Sequence, residues 1–125
     1  MPLILTGLNF LVIVLAIVNA THTVTTTKGN GNRLNIIVWI CPDQDLYKIV
    51  ENAIQQSSTV DDITSAIQKS IAGYRSLLWS ANALVYTRAT ADLMPTKRTT
   101  SKNLCFVTVP EENIVVFVAA IAPRL

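Results

Sequence analysis

Leu34-Asn35-Ile36-Ile37-Val38-Trp39-Ile40-Cys41-Pro42 decides how this chain is read. The stretch is apolar almost throughout and rich in β-branched residues, which suits a strand buried on both faces, with Trp39 and Ile40 in the core. Pro42 fits the first turn of a helix, where its missing N–H costs nothing. Asp43 and Asp45 favour a helix N-terminus electrostatically. Leu46, Ile49, Val50, Ala53 and Ile54 then recur with helical spacing, predicting an amphipathic helix that ends near Gln56. A strand running directly into helices points to a small α+β domain.

Beyond Gln56, Ser57-Ser58-Thr59 breaks the helical pattern and supplies a cap. Thr59 followed by Asp62 resembles a capping box with Asp in place of Glu. Ile63, Ala66, Ile67, Ser70, Ile71 and Tyr74 form a second stripe, for which Gly73 is the natural terminator. Leu77-Leu78-Trp79 and Ala83-Leu84-Val85-Tyr86-Thr87 read as two strands around a turn at Ser80-Ala81-Asn82. A single helix from Tyr74 to Tyr86 is the competing reading, because Ala and Leu are good helix formers. Thr96-Lys97-Arg98-Thr99-Thr100-Ser101-Lys102 reads as a basic loop. Leu104 to Val109 and Ile114 to Ile121 flank Pro110-Glu111-Glu112-Asn113 and predict a hairpin. His22 to Thr27 has strand composition, and Lys28-Gly29-Asn30-Gly31-Asn32 is a turn that would let it pair with Leu34 to Ile40.

The N-terminus sets the compartment. Residues Met1 to Ala20 carry no charge, and the strongly apolar run is Leu8 to Val18, with Val18-Asn19-Ala20 shaped like a signal-peptidase site. The expectation is a signal peptide at 1–20 and a single secreted domain at 21–125. An uncleaved anchor is the alternative, since about 20 apolar residues can span a bilayer. Two cysteines in a secreted chain are most simply one disulfide, Cys41–Cys105, with two buried free thiols as the alternative. A bridge across that separation is worth about 4 kcal/mol in the chain-entropy model.

Composition closes off most chemistry. The chain has 125 residues and one domain's worth of core, and its net charge of +2 lacks the concentrated basic footprint of a nucleic-acid binder. The single histidine, His22, leaves no nucleophilic triad, and one His with two distant Cys supplies no tetrahedral metal set. Four glycines leave little room for a phosphate loop, so no cofactor is expected. Asp43, Asp45, Asp61 and Asp62 are explained by helix starts, Glu111 and Glu112 by a hairpin turn, and Asp92 has no evident partner. No pair of groups suits general acid–base work. The best polar candidate is Lys97, Arg98 and Lys102, a contact for phosphate or for an acidic partner.

The arrangement of a signal-like segment, an aromatic-x-Cys motif at Trp39-Ile40-Cys41, a helix over Ile63–Ile71 with Tyr74, and a late strand–turn–strand resembles the ribonuclease-like secreted effectors of powdery mildew fungi. The likeness lies in the order of elements. Cys41 comes later than in those proteins, the helix before Gln56 is additional, and Cys105 sits within a strand. The resemblance implies the fold of small fungal guanyl-specific ribonucleases, a helix packed on an antiparallel sheet. Active members of that family use histidine, glutamate and arginine, and no motif here matches the set. It therefore implies a catalytically inactive virulence or avirulence protein, a monomer that binds a host plant protein or RNA, outside the membrane once the signal is cleaved. A secreted or membrane-anchored structural subunit retaining its hydrophobic N-terminus is the second expectation, and a hydrolase with an unrecognised site the third.

Overall fold

The computed structural model describes residues 21–86 and 101–123. The order of elements is β1 (His22–Thr27), β2 (Arg33–Ile40), α1 (Gln44–Gln56), α2 (Val60–Ile71), β3 (Leu77–Val85), β4 (Leu104–Val109) and β5 (Ile114–Pro123). Short 3-10 turns at Tyr74–Ser76 and Pro110–Glu112 precede β3 and β5. The strands form one antiparallel sheet in the order β1-β2-β4-β5-β3, and the expected disulfide joins Cys41 to Cys105. The protein is therefore α+β, with two helices on a five-stranded sheet. Segment 1–20 and the basic residues Lys97 and Arg98 lie outside the described residues.

Each helix starts on a capping side chain. Asp43 is the N-cap of α1, and its Oδ1 accepts from the amides of Asp45 at 3.0 Å and Leu46 at 3.3 Å. Pro42 accordingly precedes the cap and is not the first helical residue. Thr59 caps α2 by accepting from the Asp62 amide at 3.1 Å. Such a cap satisfies amides that have no partner in the first turn and is worth about 1 kcal/mol. Gly73, at φ 75°, ends α2 in the left-handed region that glycine enters without steric cost.

The core lies between the helices and one face of the sheet. Leu46, Val50 and Ile54 of α1 meet Ile63 and Ile67 of α2, all at 1% exposure or less, over Ile36, Val107, Val116 and Val118. Every second residue from Cys105 to Val109 and from Ile114 to Val118 enters this core, the alternation that an antiparallel sheet with one covered face requires. The two hairpin turns are tied together at one end of the molecule. Lys28 Nζ meets Glu112 at 2.7 Å and donates to the carbonyl of Ser57 at 3.0 Å, after the end of α1.

Three sequence expectations are corrected. β2 alternates between buried and more open positions, so among the described residues the helices cover one face of it and not both. Ile37 and Trp39 hide that alternation in the sequence because they are apolar on the uncovered side. Leu77 to Val85 is one continuous strand along β5, with a register shift between Leu78 and Trp79, and Ser80-Ala81-Asn82 is not a turn. Ala81 lies under α2 while Ser80 and Asn82 are exposed, which is strand alternation built from small residues. Trp39 is half-buried and lies outside the main core.

Candidate functional site

Trp39-Ile40-Cys41 occupies a β-bulge. Val38 pairs with Val107 and Ile40 with Phe106, leaving Trp39 as the extra residue. An inserted residue shifts the parity of the strand beyond it. Ile40 thereby joins Phe106 on the helix-free side and stays outside the main core although it is buried. Cys41 returns to the helix side and meets Cys105 across the strands, with the Cα atoms 4.2 Å apart. The bulge is thus what lets one short motif serve both faces.

On the helix-free face, Trp39 donates its indole N–H to Thr108 Oγ1 at 3.0 Å, and Thr108 is only 2% exposed. A buried hydroxyl and a buried indole N–H each need a partner, and here they satisfy each other. Phe106 and Phe117 pair edge to face with centroids 5.7 Å apart, and Phe117 is 39% exposed. Ile37, Val115 and Leu84 extend this patch, and Leu84 is more than half exposed. Threonines of β1 and Asn82 of β3 flank it. The five strands contribute one arginine to the face, Arg33, and no carboxylate. An antiparallel sheet with one solvated face is normally polar there, and the aromatic centre departs from that rule.

A second polar assembly stands at the other end of the disulfide. Tyr74 Oη donates to Asp43 Oδ2 at 2.8 Å, and Arg75 Nε lies 3.8 Å from the same oxygen. The Arg75 guanidinium sits 5.6 Å from the Tyr74 ring centre and 5.7 Å from that of Trp79, and it also donates to Lys102 O at 2.7 Å and to Asn103 Oδ1. Arg75 and Ser76 have φ of 49° and 56°, a left-handed conformation costing about 1–2 kcal/mol per residue. The ring contacts and hydrogen bonds of Arg75 offset that strain. Burial pushes the Asp43 carboxyl up, but the Tyr74 hydrogen bond, the amides of Leu46 and Asp45 and the Arg75 charge outweigh it and hold its pKa below the ordinary value of 3.8. Burial, the Asp43 hydrogen bond and the neighbouring carboxylates push Tyr74 above 10.0. The arrangement is a helix cap reinforced by an arginine, and no free acid–base pair emerges from it.

Of the sequence-nominated residues, the structure brings Trp39, Ile40, Cys41 and Cys105 together and places Lys102 in an exposed turn beside Arg75. Tyr74 reads as part of the second stripe and Asp43 as a helix start, but their pairing, and the part Arg75 plays in it, has no local signal because the two lie 31 residues apart. Phe106 and Phe117 were legible as strand residues, but their outward face follows only from the register. Among the described residues, no cluster of three or more His, Cys, Asp or Glu could hold a metal, and no helix is long and apolar enough to cross a membrane. Comparison with family models, curated proteins and solved structures gives no match.

Proposed function

We propose that this is a secreted, non-catalytic virulence effector of ribonuclease-like fold that works by binding a host plant protein through the helix-free face of its sheet. The carrying observation is the composition of that face: Trp39, Phe106 and Phe117 at its centre, with Arg33 as the strands' one charged contribution. Protein interfaces are built around desolvated aromatic anchors with a polar rim. RNA binding instead draws most of its affinity from cations facing phosphates. The signal-like N-terminus and the Trp39-Ile40-Cys41 arrangement support the secreted-effector part of the reading. A structural subunit is the second reading, favoured by the same apolar patch, which a second copy could cover.

The test is affinity capture from plant tissue with the disulfide-bonded secreted protein, comparing wild type with Phe117→Ser. The reading expects a direct protein partner, confirmed with the purified components, that wild type retains and the variant loses. RNA cleavage by the wild type, or RNA binding that vanishes with added salt and ignores the substitution, would overturn it. Light scattering separates the second reading: a monomer at micromolar concentration argues against a subunit of an assembly. Mass spectrometry of the secreted form should find an N-terminus near Thr21, and a retained segment 1–20 would favour the anchored alternative.

A further inference from the structure

We infer that the Asn30–Gly31 junction, in the turn between β1 and β2, is a site of self-modification, where the chain converts Asn30 into aspartate and isoaspartate without an enzyme. Asn30 is the only asparagine in the sequence followed by glycine; every other one precedes a residue that carries a side chain beside its amide nitrogen. Glycine has no Cβ to hinder an approach to that nitrogen. Around Gly31 even the space a Cβ would take is open, and residues 29–33 are all exposed.

The turn holds the reacting atoms together. Lys28 N–H donates to Asn32 O at 2.8 Å and Gly31 N–H to Lys28 O at 2.9 Å. This is the short hairpin loop in which a tight turn is followed by a left-handed residue, here Gly31 at φ 89°. Asn30 Oδ1 accepts from the Asn32 amide at 3.0 Å. That bond folds the Asn30 carboxamide back along the main chain, past the Gly31 nitrogen. It also sets a donor on the oxygen that turns negative when Cγ is attacked, and so stabilises the developing charge. The restraint on the reaction is the hydrogen bond from Gly31 to Lys28, which at an exposed turn opens at little cost.

In the step itself, the Gly31 nitrogen gives its proton to solvent base and bonds to Asn30 Cγ. The Cγ–Nδ2 bond breaks, and Nδ2 takes a proton from water and leaves as ammonia. Water then opens the cyclic imide. Breaking its N–Cγ bond leaves aspartate in place of Asn30. Breaking the bond between that nitrogen and the Asn30 main-chain carbonyl leaves isoaspartate, with the chain routed through the former side chain. Nothing is oxidised or reduced. Either product adds a carboxylate, and isoaspartate also lengthens the main chain inside the loop. The loop is tied to the end of α1 by Gly29 N–H, which donates to Gln55 O at 3.1 Å, and Lys28 beside it binds Ser57 O and Glu112. Isomerisation therefore loosens the β1–β2 turn from α1.

The test incubates the disulfide-bonded secreted protein in mildly alkaline buffer made with heavy-oxygen water, then digests it with trypsin in ordinary water and weighs the peptide of residues 29–33. Asn30 should convert from amide to acid about tenfold faster than any other asparagine, because only its neighbour lacks a side chain. The oxygen gained should be the heavy one, and isoaspartate should accompany aspartate. Asn30→Gln, whose longer side chain closes the ring poorly, should abolish the conversion. In the isomerised fraction, separated by ion exchange, the Gly29 amide should exchange hydrogen about tenfold faster than in the parent protein. An amide retained at Asn30 in the folded protein while the free peptide of residues 29–33 loses its own, equal conversion at other asparagines, or aspartate without isoaspartate would each overturn the proposal. Unchanged exchange at Gly29 would overturn the loosening from α1.

Discussion

The two faces of the sheet carry similar numbers of large apolar side chains but are treated differently. Val107, Val116 and Val118 on one side disappear under α1 and α2, while on the other Phe106 and Phe117 meet edge to face and Phe117 reaches solvent. A covered face stabilises the fold through apolar area removed from water and close packing. An uncovered one contributes little to folding yet is ready to desolvate against a partner. The comparison teaches that hydrophobicity alone does not mark the main core in this protein: what packs over each side of the strand matters as well, and on the helix-free side Thr108 and Ile40 are buried while Phe117 is not.

The largest test strikes the covered side. Replacing both Cys41 and Cys105 by Ala should lower unfolding stability by about 4 kcal/mol in a urea titration, since the bridge closes a long loop of the unfolded chain. A loss below 1 kcal/mol would show that the packing around α1 and α2 holds β2 to β4 without it. Ile67→Ala, at a site with 0% exposure, should cost about 3 kcal/mol by lost burial and the cavity left behind. Asp43→Ala removes the α1 cap and the Tyr74 acceptor together and should cost about 1–2 kcal/mol. Phe117→Ser, on the uncovered side, should stay within about 0.5 kcal/mol of wild type. If it matched Ile67→Ala, the two faces would be energetically alike and the contrast would fail.

pH sharpens the same contrast at the Asp43 corner. Because the native pKa of Asp43 is depressed, its contribution is complete at neutral pH and is lost as the pH falls through that native value, below 3.8. Asp43→Asn keeps a neutral cap and should therefore lose less stability than wild type between about pH 5 and pH 2. Tyr74 has the opposite sign. Its raised pKa makes the contribution complete below pH 10.0 and lost as the pH rises toward and through the native value, so Tyr74→Phe should flatten the alkaline limb. Parallel acid and alkaline profiles for wild type and both variants would deny the corner any such role.

Much of the fold could be read from residues alone, because its signals are local. The Leu46-to-Ile54 and Ile63-to-Ile71 stripes, the Thr59 cap, Gly73 and the β4–β5 hairpin each declare themselves within a few residues. The face of Trp39 could not be read, since a bulge is defined by its partner strand and β4 lies more than sixty residues away. β3 was misread as two strands because Ser80-Ala81-Asn82 has turn-like composition; in the fold its small side chains fit beneath α2 and out to solvent. The Tyr74–Arg75 corner depends on side chains meeting across the chain, which no spacing reveals.

The cross-strand position of Cys41 and Cys105 has a mechanical consequence. The covalent ring they close, with a sequence separation of 64, contains both helices and β3. Tension applied at Thr21 and Pro123 would pass from β2 straight through the sulfur atoms into β4. Only β1, most of β2, β4 and β5 could be drawn out, and the pulled chain would fall short of full contour length by about 220 Å. Under traction the ring would shelter α1, α2 and β3 after the helix-free face had been torn apart.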